Sequence, residues 1–146
     1  MSRATALERL LRVPLSPALS LPVDVVLVVL FVLIGRRSHE NGYALPGLVL
    51  ALLPFLVGLL AGWGLIRWRS GAWPHRVGHG VTLAIGTVVV GMIVRVVMGQ
   101  SVGDGIGGLL TFGAVALAFL LLVLVGWRAG TAYLIGRRGD QARSTV

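Results

Sequence analysis

The sequence contains no cysteine and no lysine, and only five acidic residues in a chain of 146. Without cysteine there is no disulfide, no thiolate metal ligand and no cysteine nucleophile. Charged residues make up 12% of the chain, whereas soluble domains carry about a quarter. By contrast, 56% of the residues are hydrophobic and the mean hydropathy is +0.92. A chain this apolar cannot cover its own surface with polar atoms. The composition therefore predicts a membrane protein.

The formal net charge of +8 comes from thirteen arginines. In a soluble protein such a charge would suggest nucleic-acid binding, but these arginines occur in short clusters between hydrophobic runs. That distribution is typical of polytopic membrane proteins. We therefore expect membrane lipids as partners and no nucleic acid.

Four hydrophobic segments are long enough to cross a bilayer, which requires about twenty helical residues. The first is unusual, because its uninterrupted apolar run, Val25 to Ile34, covers only about 15 Å as a helix. It spans only if the helix begins near Ser20 as N-cap and continues through Arg36 to about His39. The predicted spans are about 20–39, 44–66, 77–98 and 106–127. Short connections between them predict an all-α, up-down four-helix bundle.

The two ends of the chain are predicted to lie outside this transmembrane domain, which covers 19–128. In residues 1–18, Thr5 and Glu8 form a capping box and leucines line one face. This pattern predicts a short amphipathic helix on the membrane surface. Residues 129–146 are predicted to be a cytoplasmic tail, disordered after Arg138.

Orientation follows from the distribution of arginine. Ten arginines lie on the side that carries both termini, and three, Arg36, Arg37 and Arg95, lie on the other. The positive-inside rule then predicts a plasma-membrane protein with both termini in the cytoplasm.

Several charged residues are predicted close to or within the spans. Asp24 either complements the positive end of its helix or is buried and paired. Arg95 lies on a small-residue face of the third span, and it either pairs or extends to the head groups. By helix level, Arg95 lies with Glu40 and Asp104, whereas Asp24 lies with Arg67, His79 and Arg128. Two separate ionic clusters are therefore more plausible than one pair of Asp24 with Arg95. The candidate ionic or functional residues are Asp24, Arg36, Arg37, His39, Glu40, Arg95 and Asp104.

A second set of residues is predicted to shape helix packing. Pro54 removes a backbone hydrogen bond in the second span and predicts a kink, with Phe55 filling the space beside it. Small residues at intervals of three or four mark where membrane helices approach closely. The packing candidates are Pro54, Phe55, Gly58, Gly62 and Gly91.

Motifs for catalysis are weak throughout. His75 and His79 have the spacing of a metal pair, but two interfacial histidines are the more frequent case, and no nucleophile elbow or paired-carboxylate spacing occurs. We therefore expect no catalytic residue, no metal, no cofactor and no enzyme. The leading function is a non-enzymatic bundle that packs with itself or with a membrane partner. The alternative is a small transporter or channel for an anionic or lipophilic solute, built as a dimer.

The combination of "IGRRSH" ending the first span, "LLPFLVGLLAGW" in the second and "GWR" ending the fourth resembles a known family. It is similar to prokaryotic four-span membrane proteins catalogued as a domain of unknown function, number three thousand fifty-four. The resemblance covers about Leu21 to Arg128. It implies four spans and a plasma-membrane location. Because the family has no assigned activity, it implies no substrate.

Overall fold

The computed structural model of the protein describes residues 17–37, 45–71, 73–74, 76–100 and 105–143. Within these ranges the chain forms four helices and no strand. They are α1 (Pro17–Arg37), α2 (Leu45–Ser70), α3 (Val77–Val97) and α4 (Gly105–Arg143). Each is long and apolar enough to cross a membrane. The predicted all-helical, four-span architecture is confirmed, and the protein is a multi-pass membrane protein.

The helices form a ring in chain order. α2 packs against α3, α3 packs against α4, and α1 completes the ring by lying against both α2 and α4. The buried apolar side chains that fill the centre come from all four helices: Val28, Phe31, Val32, Phe55, Leu59, Trp63, Ile66, Leu83, Ala84, Val88, Ala116, Leu120 and Leu124.

Glycine sets the close contact of α3 with its two neighbours. A Cβ atom on Gly58 of α2 would lie 2.5 Å from the backbone oxygen of Thr87. A Cβ atom on Gly80 of α3 would lie 2.8 Å from the backbone oxygen of Leu124 in α4. Both distances are too short for a side chain, so the backbones approach this closely only because these residues are glycine.

α1 begins earlier than the sequence predicted. Its first residue is Pro17 rather than a residue after Ser20, so Ser20 lies inside the helix, where it is buried. Proline suits a first helical position because its fixed backbone angle matches the helix and its missing N–H is not needed there. The predicted end near His39 lies just beyond Arg37, the last described residue of α1, and residues 38–44 lie outside the described ranges.

α4 ends later than predicted. It continues without interruption to Arg143, so residues 129–143, which we assigned to a partly disordered tail, are helical. The prediction treated the end of the hydrophobic run as the end of the helix. Alanine, glutamine, leucine and arginine, which are good helix formers, outnumber the three glycines of this stretch, and no proline interrupts it, so the helix extends past the apolar part. The predicted amino-terminal surface helix falls mostly on residues 1–16, outside the described residues.

The proline inside α2 leaves one backbone carbonyl without its helical partner. Pro54 has no N–H, so it cannot donate to the carbonyl of Leu50 four residues earlier. The side chain of Gln100, which follows α3, donates instead: its Nε2 lies 2.9 Å from the Leu50 oxygen. The kink predicted at Pro54 stays a prediction, but a side chain from the segment after α3 replaces the missing hydrogen bond.

Candidate functional site

Asp24 is the charged residue buried most deeply in α1. It is 0% exposed and lies on the helix face that also carries Ser20 and Val28, at steps of four residues. The same spacing that brings Val28 into the apolar core therefore brings a carboxylate into the bundle.

Four donors surround the Asp24 carboxylate. Arg128 donates through Nη1 to Oδ1 at 2.8 Å and through Nη2 to Oδ2 at 2.7 Å, so the pair is bidentate. Trp127 Nε1 donates to Oδ1 at 3.0 Å. Trp63 Nε1 donates to Oδ2 at 3.0 Å. Each carboxylate oxygen thus accepts one charged and one neutral hydrogen bond.

Arg128 is as buried as Asp24 and, within the described residues, makes the same number of side-chain hydrogen bonds. It is 1% exposed, and besides Asp24 it donates to the backbone oxygens of Leu124 and Pro74, each at 2.9 Å. Its guanidinium carbon lies 4.5 Å from the centre of the Trp127 ring. Four of its five N–H groups are used in this way, and Nε has no partner within the described part of the chain.

We call Asp24, Trp63, Pro74, Trp127 and Arg128 the clasp. Its members come from α1, α2, α4 and the connection between α2 and α3. One network therefore ties together three helices and a loop at the end of the bundle where α1 begins and α2 ends. We call this the clasp end, and the opposite end the Arg95 end.

Charge balance explains why these groups can be buried. Carboxylate and guanidinium are costly to remove from water, and the cost is offset only when their remaining lone pairs and protons are bonded. Here the charges cancel and both carboxylate oxygens are saturated. The arrangement joins helices firmly, and it leaves no carboxylate oxygen open for a substrate.

Arg67, which by helix level was placed near Asp24, lies elsewhere. It is exposed, donates to the backbone oxygen of Gly71 and lies 4.9 Å from the ring centre of Trp73. Trp73 in turn lies 6.1 Å from Trp63, ring centre to ring centre. Arg67 therefore flanks the clasp without bonding to it.

The other candidate charged residues whose side chains are described do not contact Asp24. Arg36 is twelve residues further along α1, about 18 Å away, and its Nη1 donates to the backbone oxygen of Gly47 in α2 at 2.8 Å. Arg37 ends α1, and its side chain lies outside the described atoms, as do His39, Glu40 and Asp104. Arg36 and Arg95 thus belong to the Arg95 end, and Asp24 does not join them.

Arg95 lies over aromatic rings rather than beside a carboxylate. Its guanidinium carbon is 5.0 Å from the ring centre of Phe112 and 6.0 Å from that of Phe55. Phe31 lies 5.2 Å from Phe55, and Phe119 lies 5.5 Å from Phe31. We call Phe31, Phe55, Phe112 and Phe119 the phenylalanine shelf; they are all four phenylalanines of the chain.

The predicted packing residues lie between α2 and α3. A Cβ atom on Gly91 would lie 3.1 Å from Phe55 and 3.3 Å from the backbone oxygen of Pro54. On Gly62 it would lie 3.2 Å from Leu83. With the contact of Gly58 on Thr87, these positions follow one continuous seam.

Sequence reasoning did not select four members of the clasp: Trp63, Pro74, Trp127 and Arg128. The available signal was the level of Arg128, which matches that of Asp24 when helices are laid side by side. Among the described residues, no group of three His, Cys, Asp or Glu side chains is placed to hold a metal ion.

The amino-acid sequence matches the model of one protein family. The family model described as a protein of unknown function, DUF3054, matches residues 21–131. The chain belongs to this family. All members of the clasp, the phenylalanine shelf and Arg95 lie within the part that matches DUF3054. No curated protein and no solved structure matches the chain.

Proposed function

We propose that this DUF3054 protein is a non-enzymatic plasma-membrane subunit that acts by assembly, pairing through α4 with a second copy of itself. One observation carries the proposal: α4 turns a row of small residues away from its own bundle. They are Gly107, Thr111, Ala114 and Ala118, all exposed and spaced by three or four residues.

The geometry of this α4 face suits close approach by another helix. A Cβ atom on Gly107 would meet no atom within 4 Å. The Thr111 hydroxyl donates to the Gly107 backbone oxygen of its own helix, so this side chain already has a hydrogen-bond partner. Small residues of this spacing allow transmembrane helices to pack at short distance, where dispersion forces stabilise the contact.

α4 also has the most surface to cover. Only 17% of its candidate span is buried inside the chain, compared with 28% to 39% for the other three. Lipid alone can cover such a surface, since the bilayer is as apolar as the side chains. The row of small residues is what favours a helix over lipid at this face.

The interior supports an assembly role over transport or catalysis. The buried polar residues of the described ranges are Ser20, Asp24, Thr87 and Arg128. Three of them lie at the clasp end, and only Thr87 lies deep in the bundle. A solute path needs polar lining at mid-membrane depth, and a catalytic carboxylate needs an accessible oxygen.

Cross-linking in native membranes tests the proposal, because the chain has no cysteine of its own. In a symmetric dimer packed through this face, Ala114 lies near its equivalent. We expect Ala114→Cys to give a disulfide-linked dimer under mild oxidation. Val89→Cys, on an exposed part of α3, is the matched control and should remain monomeric.

The outcomes separate the candidates. Equal dimer yield at both positions, or none at Ala114, would contradict a specific α4 contact with a second copy. A cross-linked product of Ala114→Cys with a different mass would identify a distinct membrane partner on the same face. Anion flux in proteoliposomes that depends on this protein would favour the transporter instead.

A further inference from the structure

The guanidinium of Arg95 is held in place without being neutralised. It lies in the last turn of α3, over Phe112 of α4 and Phe55 of α2 at the distances given above. Rings from two neighbouring helices thus fix its position over the phenylalanine shelf. The contact is electrostatic attraction between a cation and the ring faces.

In the ranges described, this guanidinium has neither a carboxylate nor a hydrogen-bond acceptor, and its Nε is buried without a partner. Arg128 in the same chain makes four hydrogen bonds, and Arg36 bonds to Gly47. The two cation–π contacts attract the charge but accept no hydrogen bond from its N–H groups in the plane of the guanidinium. The guanidinium therefore keeps donors available for an anion.

The position of Arg95 indicates which anion can reach it. It is half-buried and lies three residues before Met98, the C-cap of α3, about 4.5 Å below the helix end. Exposed apolar side chains lie at the same end of the bundle, including Val96, Val97 and Ile106. This is the depth at which phosphate groups meet the hydrocarbon layer, with acyl chains beside the apolar residues.

We propose that Arg95 is the binding site for one phosphate group at the Arg95 end of the bundle. The planar guanidinium presents paired N–H donors whose spacing matches two phosphate oxygens. The phenylalanine shelf holds that fork in one orientation, which distinguishes a built site from an arginine extending freely to the head groups. The phosphate belongs either to a phospholipid or to a free phosphate ion.

Thermal unfolding of the detergent-solubilised full chain tests this. The midpoint is measured with inorganic phosphate, with a short-chain phosphatidylglycerol, and with neither. A ligand that binds only the folded protein raises the midpoint as its concentration passes the dissociation constant. We expect a rise of several degrees in the parent protein and none in Arg95→Met, which keeps the apolar stem and removes the charge.

Arg69→Met is the matched control, because Arg69 is exposed in the last turn of α2 at the opposite end. It should respond to phosphate as the parent does. A rise with inorganic phosphate identifies free phosphate as sufficient, and a rise with phosphatidylglycerol alone identifies the lipid. No rise with either, or an equal rise in Arg95→Met, overturns the proposal.

A carboxylate of the chain itself is the competing partner. Glu40 and Asp104 lie outside the described residues, and pairing with one of them was the sequence-based prediction. In that case Asp104→Asn or Glu40→Gln lowers the unfolding midpoint in the parent but not in Arg95→Met, and added phosphate has no effect. That result would replace the phosphate site with an internal ion pair.

Discussion

At the scale of single residues, the clasp behaves as one unit rather than as separate contacts. Asp24 and Arg128 are both essentially inaccessible, and each makes two of its four side-chain hydrogen bonds to the other and two to other members of the bundle. Removing one member leaves the other as an uncompensated charge. Removing both leaves no uncompensated charge, but the indole N–H groups of Trp63 and Trp127 and the Pro74 carbonyl then lose their partner.

This asymmetry gives the first residue-scale prediction. Asp24→Ala or Arg128→Ala should each lower the free energy of unfolding by about 3–5 kcal/mol. Asp24→Leu combined with Arg128→Met should lower the free energy of unfolding less than either single substitution, because no uncompensated charge remains and only the neutral partners Trp63, Trp127 and Pro74 lose a hydrogen bond. Unfolding curves in detergent measure both effects. Single substitutions costing no more than Arg69→Ala, an exposed control, would show that the pair is not buried in the membrane-embedded protein.

The clasp also shows which parts of a site the sequence can predict. The level of a residue along a helix follows from the rise per residue, so Asp24 and Arg128 were placed together correctly in depth. The rotation of a helix about its axis and the direction of an indole depend on packing with the other helices. The sequence therefore did not indicate that Trp63 and Trp127 both donate to Asp24.

At the scale of helices, the helix that contains an internal proline, α2, receives a hydrogen bond from the residues that follow α3. α2 contains Pro54, and the Leu50 carbonyl that Pro54 leaves unbonded accepts from Gln100. Apolar length predicted the four spans well because the bilayer imposes it. It did not predict the end of α4, since a helix that leaves the membrane continues wherever its residues favour helix.

A double-mutant comparison tests the link between α2 and the residue after α3. Gln100→Ala should lower the free energy of unfolding by about 1 kcal/mol, because the Leu50 carbonyl loses its donor. In a Pro54→Ala background the helix supplies its own N–H to Leu50, so the same Gln100 substitution should cost close to nothing. Equal costs in both backgrounds would show that Gln100 acts through some other contact.

At the scale of the whole molecule, the two ends of the bundle differ in charge. The clasp end contains a neutral, saturated network, and the Arg95 end contains cationic side chains. α1 begins at the clasp end and α4 passes through it, and the sequence predicts ten arginines on that side and three on the other.

The whole-molecule prediction concerns orientation. Single cysteines at Glu40 and Asp140 are exposed in intact cells to a membrane-impermeant maleimide. The arginine distribution leads us to expect labelling at Glu40 only, with both positions labelled after the cells are permeabilised. Labelling at Asp140 in intact cells would contradict cytoplasmic termini.

The separation of the clasp partners along the chain has a consequence for biosynthesis. Asp24 and Arg128 are 104 residues apart, so α1 leaves the ribosome long before its counter-charge has been translated. Until α4 arrives, α1 carries a carboxylate that the bilayer disfavours, and it cannot settle at its final depth. Completion of the clasp therefore coincides with completion of the last span. A chain cut short before α4 retains an unpaired acid in its first helix, a feature by which membrane quality control can distinguish it from the finished protein.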